Sequence, residues 1–391
     1  MVGGLLDLVA KGGQDIYFIC NPEISFFKKV YKKHTNFSTE NIKFPLNDIS
    51  FGKIDTAIIP RVADLLTNIF LEIELPLLDE GQSYINYIGY GIIDYIELCI
   101  GETVIQRLTG ETLYILNEYK LNHNKKKIYN KIVGGKYFMN YNTFVGNKGG
   151  KYTVPLNFWF TEDISQSIPL VALQHHDIQI KLKYKKFDEL YITKNNTQIT
   201  DSNNKIKTNF ILEMVFLDVE ERSNFAKSDH EYLITQIQYN LNNNILKNQL
   251  VGRYSLNFFN PIRELFFVIQ NKKIISNKKD LFNFSKDLDL PLEPLKNAQI
   301  LFNNSERFEK MESNFFRFIN NINKHTNLSN NFIYNYTFSL DNDEYLLNLI
   351  RPVYTMQPTV STKKKWSVAP RLPSKSSKRC TKMSPTSLNA S

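Results

Sequence analysis

Apolar and polar residues alternate with period two in several long stretches of this chain. Ile69, Leu71, Ile73 and Leu75 point one way, with Glu72 and Glu74 between them. Ile92, Asp94, Ile96, Leu98 and Ile100 share one face, and Ile93, Tyr95, Glu97 and Cys99 the other. Ile178, Ile180, Leu182 and Tyr184 alternate with Gln179, Lys181 and Lys183; Phe332, Tyr334, Tyr336 and Phe338 alternate with Ile333, Asn335 and Thr337. Successive side chains of a strand face opposite sides, so each stretch predicts a strand with one dry and one wet face. Leu265 to Ile269 is apolar throughout, as a strand buried on both faces would be. Two half-dry sheets bury their dry faces against each other, which predicts an all-β sandwich.

Helical signals are few. Glu111 to Lys120 predicts a short helix, with Thr109 near its start and Leu113 and Leu116 on one side. Ser305 to Asn321 is a second candidate. No strand–helix–strand alternation suggests a parallel sheet. Asn122 to Lys151, Thr193 to Thr208 and Asn271 to Lys279 read as long polar loops. The first carries Lys125-Lys126-Lys127, expected as a solvated loop tip. A charged stretch from Leu217 to Tyr232 follows the strand pattern of Phe210 to Phe216 and marks a domain junction.

Composition adds weight to strands. Of 391 residues, 13% are aromatic, and aromatic residues suit a pleated, half-buried surface. The net charge of +9 suggests nucleic acid until it is located. Residues 360–391 hold eight Lys/Arg and no Asp/Glu, so residues 1–359 carry 9 − 8 = +1. The body is near neutral, and no specific nucleic acid is expected. Cys20, Cys99 and Cys380 are scattered thiols without metal-binding or disulfide spacing. No secretory leader is expected, because Asp7 and Lys11 interrupt Leu5, Leu6, Leu8 and Val9, and no apolar run reaches the roughly 18 residues of a membrane span.

Candidate chemistry is sparse. His175-His176-Asp177 is the most metal-like cluster, but neighbours at a strand start face opposite ways. His34, His123, His230 and His325 stand apart in sequence. Lys136 and Lys151 follow glycines, yet a phosphate loop needs an earlier glycine where Asn130 and Val145 stand, and Ser or Thr where Tyr137 and Tyr152 stand. Glu72 and Glu74 are paired carboxylates of the kind glycosidases use, read here as a solvated strand face. Asn36, Asn195, Asn283, Asn303, Asn327 and Asn335 begin glycosylation-type triplets, read as chance matches in an Asn-rich chain. No catalytic, cofactor-binding or metal-ligating residue is assigned, no cofactor is expected, and the chain is not expected to be an enzyme.

Several segments, in order, resemble the double jelly-roll major capsid proteins of nucleo-cytoplasmic large DNA viruses. They are Gly3-Gly4-Leu5-Leu6 through Gln14-Asp15, Asn21-Pro22, Phe26-Phe27, Tyr31 and Thr35-Asn36-Phe37; Ile59-Pro60-Arg61-Val62-Ala63-Asp64-Leu65-Leu66; Phe158-Trp159-Phe160; and Ile168-Pro169-Leu170-Val171-Ala172-Leu173-Gln174. Leu217-Asp218, Glu221-Arg222, Phe225-Ala226 and His230 to Ile234 resemble the inter-domain segment. Phe259-Asn260-Pro261, Arg263-Glu264-Leu265, Arg307-Phe308, Phe315-Phe316 and His325-Thr326 resemble blocks of the second domain. The resemblance covers about two thirds of the chain. It implies two tandem antiparallel jelly rolls with few short helices, divided as an arm (1–23), a first roll (24–216), a second roll (217–359) and a tail (360–391). It implies a homotrimer forming a pseudo-hexagonal capsomer beside neighbouring capsomers and minor capsid proteins, in a virion assembled in the host cytoplasm. The arm would face the internal membrane or minor proteins, or dock as a strand or helix on its own domain.

The likeness stops at Val360, after Gln357-Pro358-Thr359. The Ser/Lys/Pro-rich remainder cannot bury enough apolar surface to offset ordering entropy. The second roll is therefore expected to lack its closing strands, and an interrupted reading frame after Thr359 is the expected cause; a genuine basic tail is the alternative. A capsid-like minor shell or scaffold paralogue, and a carbohydrate-binding β-sandwich, are the competing functions.

Overall fold

The structure is a computed structural model. It describes residues 3–29, 31–135, 147–193, 205–240, 251–287 and 290–339, together with Ile199 and Ile245. The expected tail, Lys136, Tyr137, Val145, Asn195 and Cys380 lie outside the described residues. The chain divides into two compact units, residues 1–37 and 38–391. The first carries α1 (Gly3–Val9) and α2 (Gly13–Ile19), and each of its described residues is exposed. The Asp15 carboxylate accepts from the Gly12 N–H at 2.9 Å and so caps α2.

The second unit begins within β1 (Phe37–Pro45) and continues through β2 (Ile49–Ser50), β3 (Ile54–Ile58), β4 (Leu65–Leu75) and β5 (Gln82–Tyr84). Then come α3 (Ile88–Gly91), β6 (Ile93–Ile100), β7 (Thr103–Leu108), α4 (Gly110–Lys120) and α5 (His123–Ile132). After these lie β8 (Gly150–Pro155), β9 (Ile168–Pro169), β10 (Ile178–Tyr184), β11 (Tyr191–Thr193) and β12 (Lys205–Leu217). One sheet has the order β1-β12-β4-β8, with β2 added to β12 and β9 to β4; the other is β3-β10-β6-β7. Pairing within both is antiparallel. The chain thus passes back and forth between the two sheets, with β6 and β7 paired as neighbours in one of them, as in a jelly roll. A small β5–β11 pair closes one end.

The period-two reading explains the core. Ile69, Leu71, Ile73 and Leu75 are buried, as are Ile178, Ile180, Leu182 and Tyr184 from the facing sheet. Phe210 and Leu212 of β12 and Ile96 and Leu98 of β6 complete the dry layer. Asp94 departs from its expected dry face. Lys183 pairs with Tyr95 and Tyr184 with Ile93, so a bulge at Asp94 takes it out of the alternation, and its carboxylate meets Lys183 Nζ at 2.8 Å.

Beyond β12 the architecture changes. It comprises α6 (Val219–Lys227), β13 (Glu264–Val268), α7 (Lys272–Lys278), β14 (Asn297–Ala298), β15 (Leu301–Phe302), β16 (Ser305–Glu306), β17 (Met311–Glu312) and β18 (Ile333–Thr337). The described strands here form two-stranded pairs: β13–β18, β14–β17 and β15–β16. β13 is half-buried rather than buried on both faces. Asn335 and Thr337, expected on a wet face, are buried along with Ile333 and Tyr334.

Two polar stretches expected as loops, and the charged stretch expected as a domain junction, hold helices with side-chain caps. The Asn122 carboxamide accepts from the Lys125 N–H to start α5, the Asn271 carboxamide from Lys273 to start α7, and Asp218 from Val219 at the start of α6. The expected loop at 193–208 gives up Lys205 to Thr208 to β12. The expected helix from Ser305 to Asn321 is replaced by β16, β17 and a π-helical turn over Phe315–Ile319. Asn303 and Asn304 both have positive φ (49° and 64°), the left-handed pair that a tight β15–β16 hairpin needs.

Candidate functional site: the α4 junction

The densest meeting of polar and titratable side chains lies around α4, where the first sandwich meets the second half. Thr109 starts the helix, its hydroxyl accepting from the Thr112 N–H at 3.2 Å. Gly110 follows because nothing larger fits. A Cβ there would stand 2.0 Å from the Tyr90 carbonyl and 2.8 Å from that of Ile93. This close approach seats α4 on α3 and β6.

One face of α4 holds the first sandwich. The Asn117 amide donates to the Tyr90 hydroxyl at 2.7 Å, and its carbonyl accepts from Asn157 at 2.9 Å. The other face holds the second half. Phe282 packs on Tyr114 (4.7 Å between ring centres) and edge-on to Tyr87 (5.8 Å). The Tyr114 hydroxyl meets Asn331, and the Tyr119 hydroxyl donates to the Ile333 carbonyl at 3.1 Å. Burial pushes the Tyr87 phenol up to about 12, and pushes Tyr114 and Tyr119 upward too, so these hydroxyls keep their protons.

Glu118 is almost fully buried and accepts from Lys126 Nζ at 2.6 Å and from the Ser329 hydroxyl at 2.8 Å. Its backbone carbonyl takes the Asn327 amide at 2.8 Å. A buried carboxylate needs such partners. Beside it is a cavity of about 10 Å³ lined by Tyr90, Tyr114, Asn117 and Lys126. That holds about one water and no substrate.

A second cluster lies under Tyr119. His325 Nε2 stands 3.2 Å from Glu264 Oε2, and Asn335 Nδ2 lies 3.1 Å from that oxygen and 2.8 Å from the ring nitrogen. With Nε2 bare, the ring accepts from Asn335; with Nε2 protonated, it donates to the carboxylate. Burial pushes the Glu264 carboxyl up. The His325 hydrogen bond, the charges of His325 and Arg263, and the Asn335 bond outweigh it and hold the pKa below the ordinary value. A third post is Arg317, between the rings of Phe318 and Phe332 (4.7 Å each), paired with Glu293 at 2.5 Å and donating to the Asn330 carbonyl. Glu293 also takes the Tyr334 hydroxyl.

Of the residues singled out from sequence, Lys126, His325, Asn327 and Asn335 lie here, and the others lie elsewhere. His175 and His176 are exposed, and Asp177 is held by Arg61 at 2.7 Å. His34 is exposed, and His230 meets the Phe225 carbonyl at 2.7 Å. Glu72 pairs with Lys43 at 2.5 Å and Asn209 at 3.0 Å, while Glu74 faces Lys151 at 3.8 Å. The hydrogen bond from Lys43 lowers the Glu72 pKa. Each carboxylate thus has its own cation across the sheet. Among the glycosylation-type triplets, Asn36 and Asn303 are exposed and Asn335 is fully buried. Among the described residues no three His, Cys, Asp or Glu side chains gather as a metal site, and no helix is long and apolar enough to cross a membrane. Sequence reading missed the Glu264–His325–Asn335 cluster because its members lie up to 71 positions apart. The signal available was a polar Asn335 inside an aromatic strand.

The arrangement can join two halves of a chain, and the cavity beside Glu118 is too small for a substrate. Comparison with known proteins points the same way. Residues 25–218 match the family described as major capsid protein N-terminus, and residues 221–346 match the large eukaryotic DNA virus major capsid protein. Capsid protein 1 of Acanthamoeba polyphaga mimivirus is 33% identical over 68% of this chain and 49% of its own length. The major capsid protein of Pyramimonas orientalis virus is 30% identical over 82% of this chain and 75% of its own. The chain thus spans about half the length of the mimivirus relative. A quasi-atomic model of the PBCV-1 virus capsid superposes with a TM-score of 0.69 over 81% of each chain, at 21% identity. That likeness shows the fold, and the chain is all-β with double jelly-roll neighbours and few helices.

Proposed function

We propose, from the premise that this chain belongs to the large eukaryotic DNA virus major capsid protein family, that it is a structural subunit of an icosahedral shell. Its relatives are capsid proteins, so the function is a surface and not a reaction. The observation that carries the reading is the two-sheet antiparallel sandwich joined through α4 to a second half whose surface is rich in exposed apolar residues. Monomers rarely expose so much apolar surface, and assembly covers it.

In this reading three copies form a pseudo-hexagonal capsomer, which packs beside other capsomers and minor capsid proteins in a virion assembled in the host cytoplasm. The chain divides as residues 1–23, 24–216, 217–359 and 360–391. The first segment contacts minor proteins or an internal membrane. Exposed Leu5, Leu6, Leu8 and Val9 support this. The second roll lacks its closing strands, a reading supported by the two-stranded pairs among the described residues and by the composition after Val360. The frame interruption is tested by translating the neighbouring DNA in the other frames: closing-strand sequence there supports it, and its absence assigns the tail to this protein.

Sizing the purified full chain by sedimentation velocity tests the whole. A species of three chain masses that forms shell-like or sheet-like arrays is expected. A monodisperse monomer that never assembles overturns the reading.

A further inference from the structure

Two neighbouring stretches of the second unit have opposite charge, and both expose large apolar side chains. Residues 218–233 hold the carboxylates Asp218, Glu220, Glu221, Asp229 and Glu231 against Arg222 and Lys227. Val219 and Leu233 are 79% and 75% exposed there. Residues 234–262 hold Lys247 and Arg253 and no carboxylate. In the described part of that stretch Val251, Tyr254, Leu256 and Phe259 are exposed, Phe259 at 78%.

The second stretch is built in an unusual way. Gln236 donates to the Ile105 carbonyl at 2.6 Å and Tyr239 to that of Arg107 at 3.2 Å, so side chains cover the outer edge of β7. Gln238 then bonds both the carbonyl of Phe259 (2.6 Å) and its N–H (2.8 Å), and Asn240 donates to the Ser255 carbonyl (3.1 Å). Side-chain amides thus tie the strip 251–259, which forms no helix or strand, to residues 238–240. An exposed apolar strip that carries Arg253 and is held by its neighbours suits a partner that is apolar and acidic.

We infer that the strip around Arg253, Tyr254, Leu256 and Phe259 of one copy docks on the Val219, Glu220 and Leu233 surface of the next, head to tail. This rests on the homotrimer proposed above and names the faces that make it. The two faces differ, so the contact is heterologous and closes only as a ring. Burial of the apolar residues supplies the driving force, and the opposite charges select the partner face.

The test uses the full chain. Arg253→Glu on one face, or Glu220→Lys with Glu231→Lys on the other, shifts the wild-type trimer to monomer by at least tenfold in the concentration of half-assembly. Combining the two sets restores assembly. Near-UV circular dichroism of each variant confirms that it is folded. A photo-crosslinking residue in place of Leu256 gives a second readout, expected to attach to peptides from residues 218–233 of another copy. A trimeric wild type with equally trimeric variants, or crosslinks elsewhere, overturns this assignment and leaves the homotrimer standing. A wild type that forms no closed small oligomer overturns both.

Discussion

The first sandwich and the second half are held by different physics. In the sandwich, long ladders bring two dry faces together, and Leu66, Ile69, Leu71, Ile73, Phe210 and Leu212 are almost wholly buried. In the second half the described strands are short pairs. The contacts there run through aromatic rings and through polar posts: Glu264 with His325, Arg317 with Glu293, and Glu118 with Ser329. Non-directional burial tolerates modest changes of shape, whereas a polar post fails when one partner is removed. The halves should therefore differ in how they break.

The largest effect is expected at the hinge between them. Gly110→Ala places a methyl against two backbone carbonyls, which cannot yield as a side-chain tip would. A loss above about 4 kcal/mol is expected, with both halves affected, as read by denaturant unfolding followed at several probes. Loss confined to one half would show that α4 does not couple them.

Within the halves, Phe210→Ala is expected to cost about 3–5 kcal/mol by leaving a cavity, with hydrogen exchange accelerating across both sheets of the sandwich. His325→Ala leaves the partly buried Glu264 carboxylate without its ring partner and is expected to cost about 2–3 kcal/mol. Its exchange signature should concentrate in β13 and β18. If both variants loosen the same amides, the two regions are one cooperative unit and the contrast falls.

The halves should also respond to acid with opposite sign. Glu264 has a folded pKa below its unfolded value, so it stabilises above the ordinary carboxylate range and that contribution fades as pH falls through the folded pKa. Asp55, buried in β3 with Oδ2 lacking a partner, has its pKa raised by burial. Its charge opposes folding at neutral pH, and protonation on acidification relieves this. Asp55→Asn is therefore expected to raise the unfolding midpoint at pH 7 and to lose that advantage below the ordinary carboxylate range. Glu264→Gln should lower stability at pH 7 and flatten the acid dependence of β13 and β18. Midpoints of both variants between pH 3 and 7 provide the check; parallel curves would contradict it. The smallest effect is expected from Glu72→Gln on the wet face, below about 1 kcal/mol and salt-dependent, because Lys43 is half-exposed.

The alternation of β4 and β10, and the helix from Gly110 to Lys120 with its Thr109 cap, were legible because each depends on residues within one turn or one strand. The same local rules misled where a bulge intervened at Asp94, and where Asn caps turned lysine-rich stretches into α5 and α7. They also misread Asn335, whose side chain meets a glutamate 71 positions away and a histidine ten positions away.

What the sequence by itself determined is the set of dry and wet strand faces in the first half, and with them a sandwich, because side-chain period and burial are linked residue by residue. Tertiary structure alone decided that Gly110 must be bare, that the Glu118 and Glu264 carboxyl groups find partners across the fold, and that side chains cover the edge of β7. Each of these depends on atoms brought together across tens to hundreds of positions, and no local pattern carries that distance.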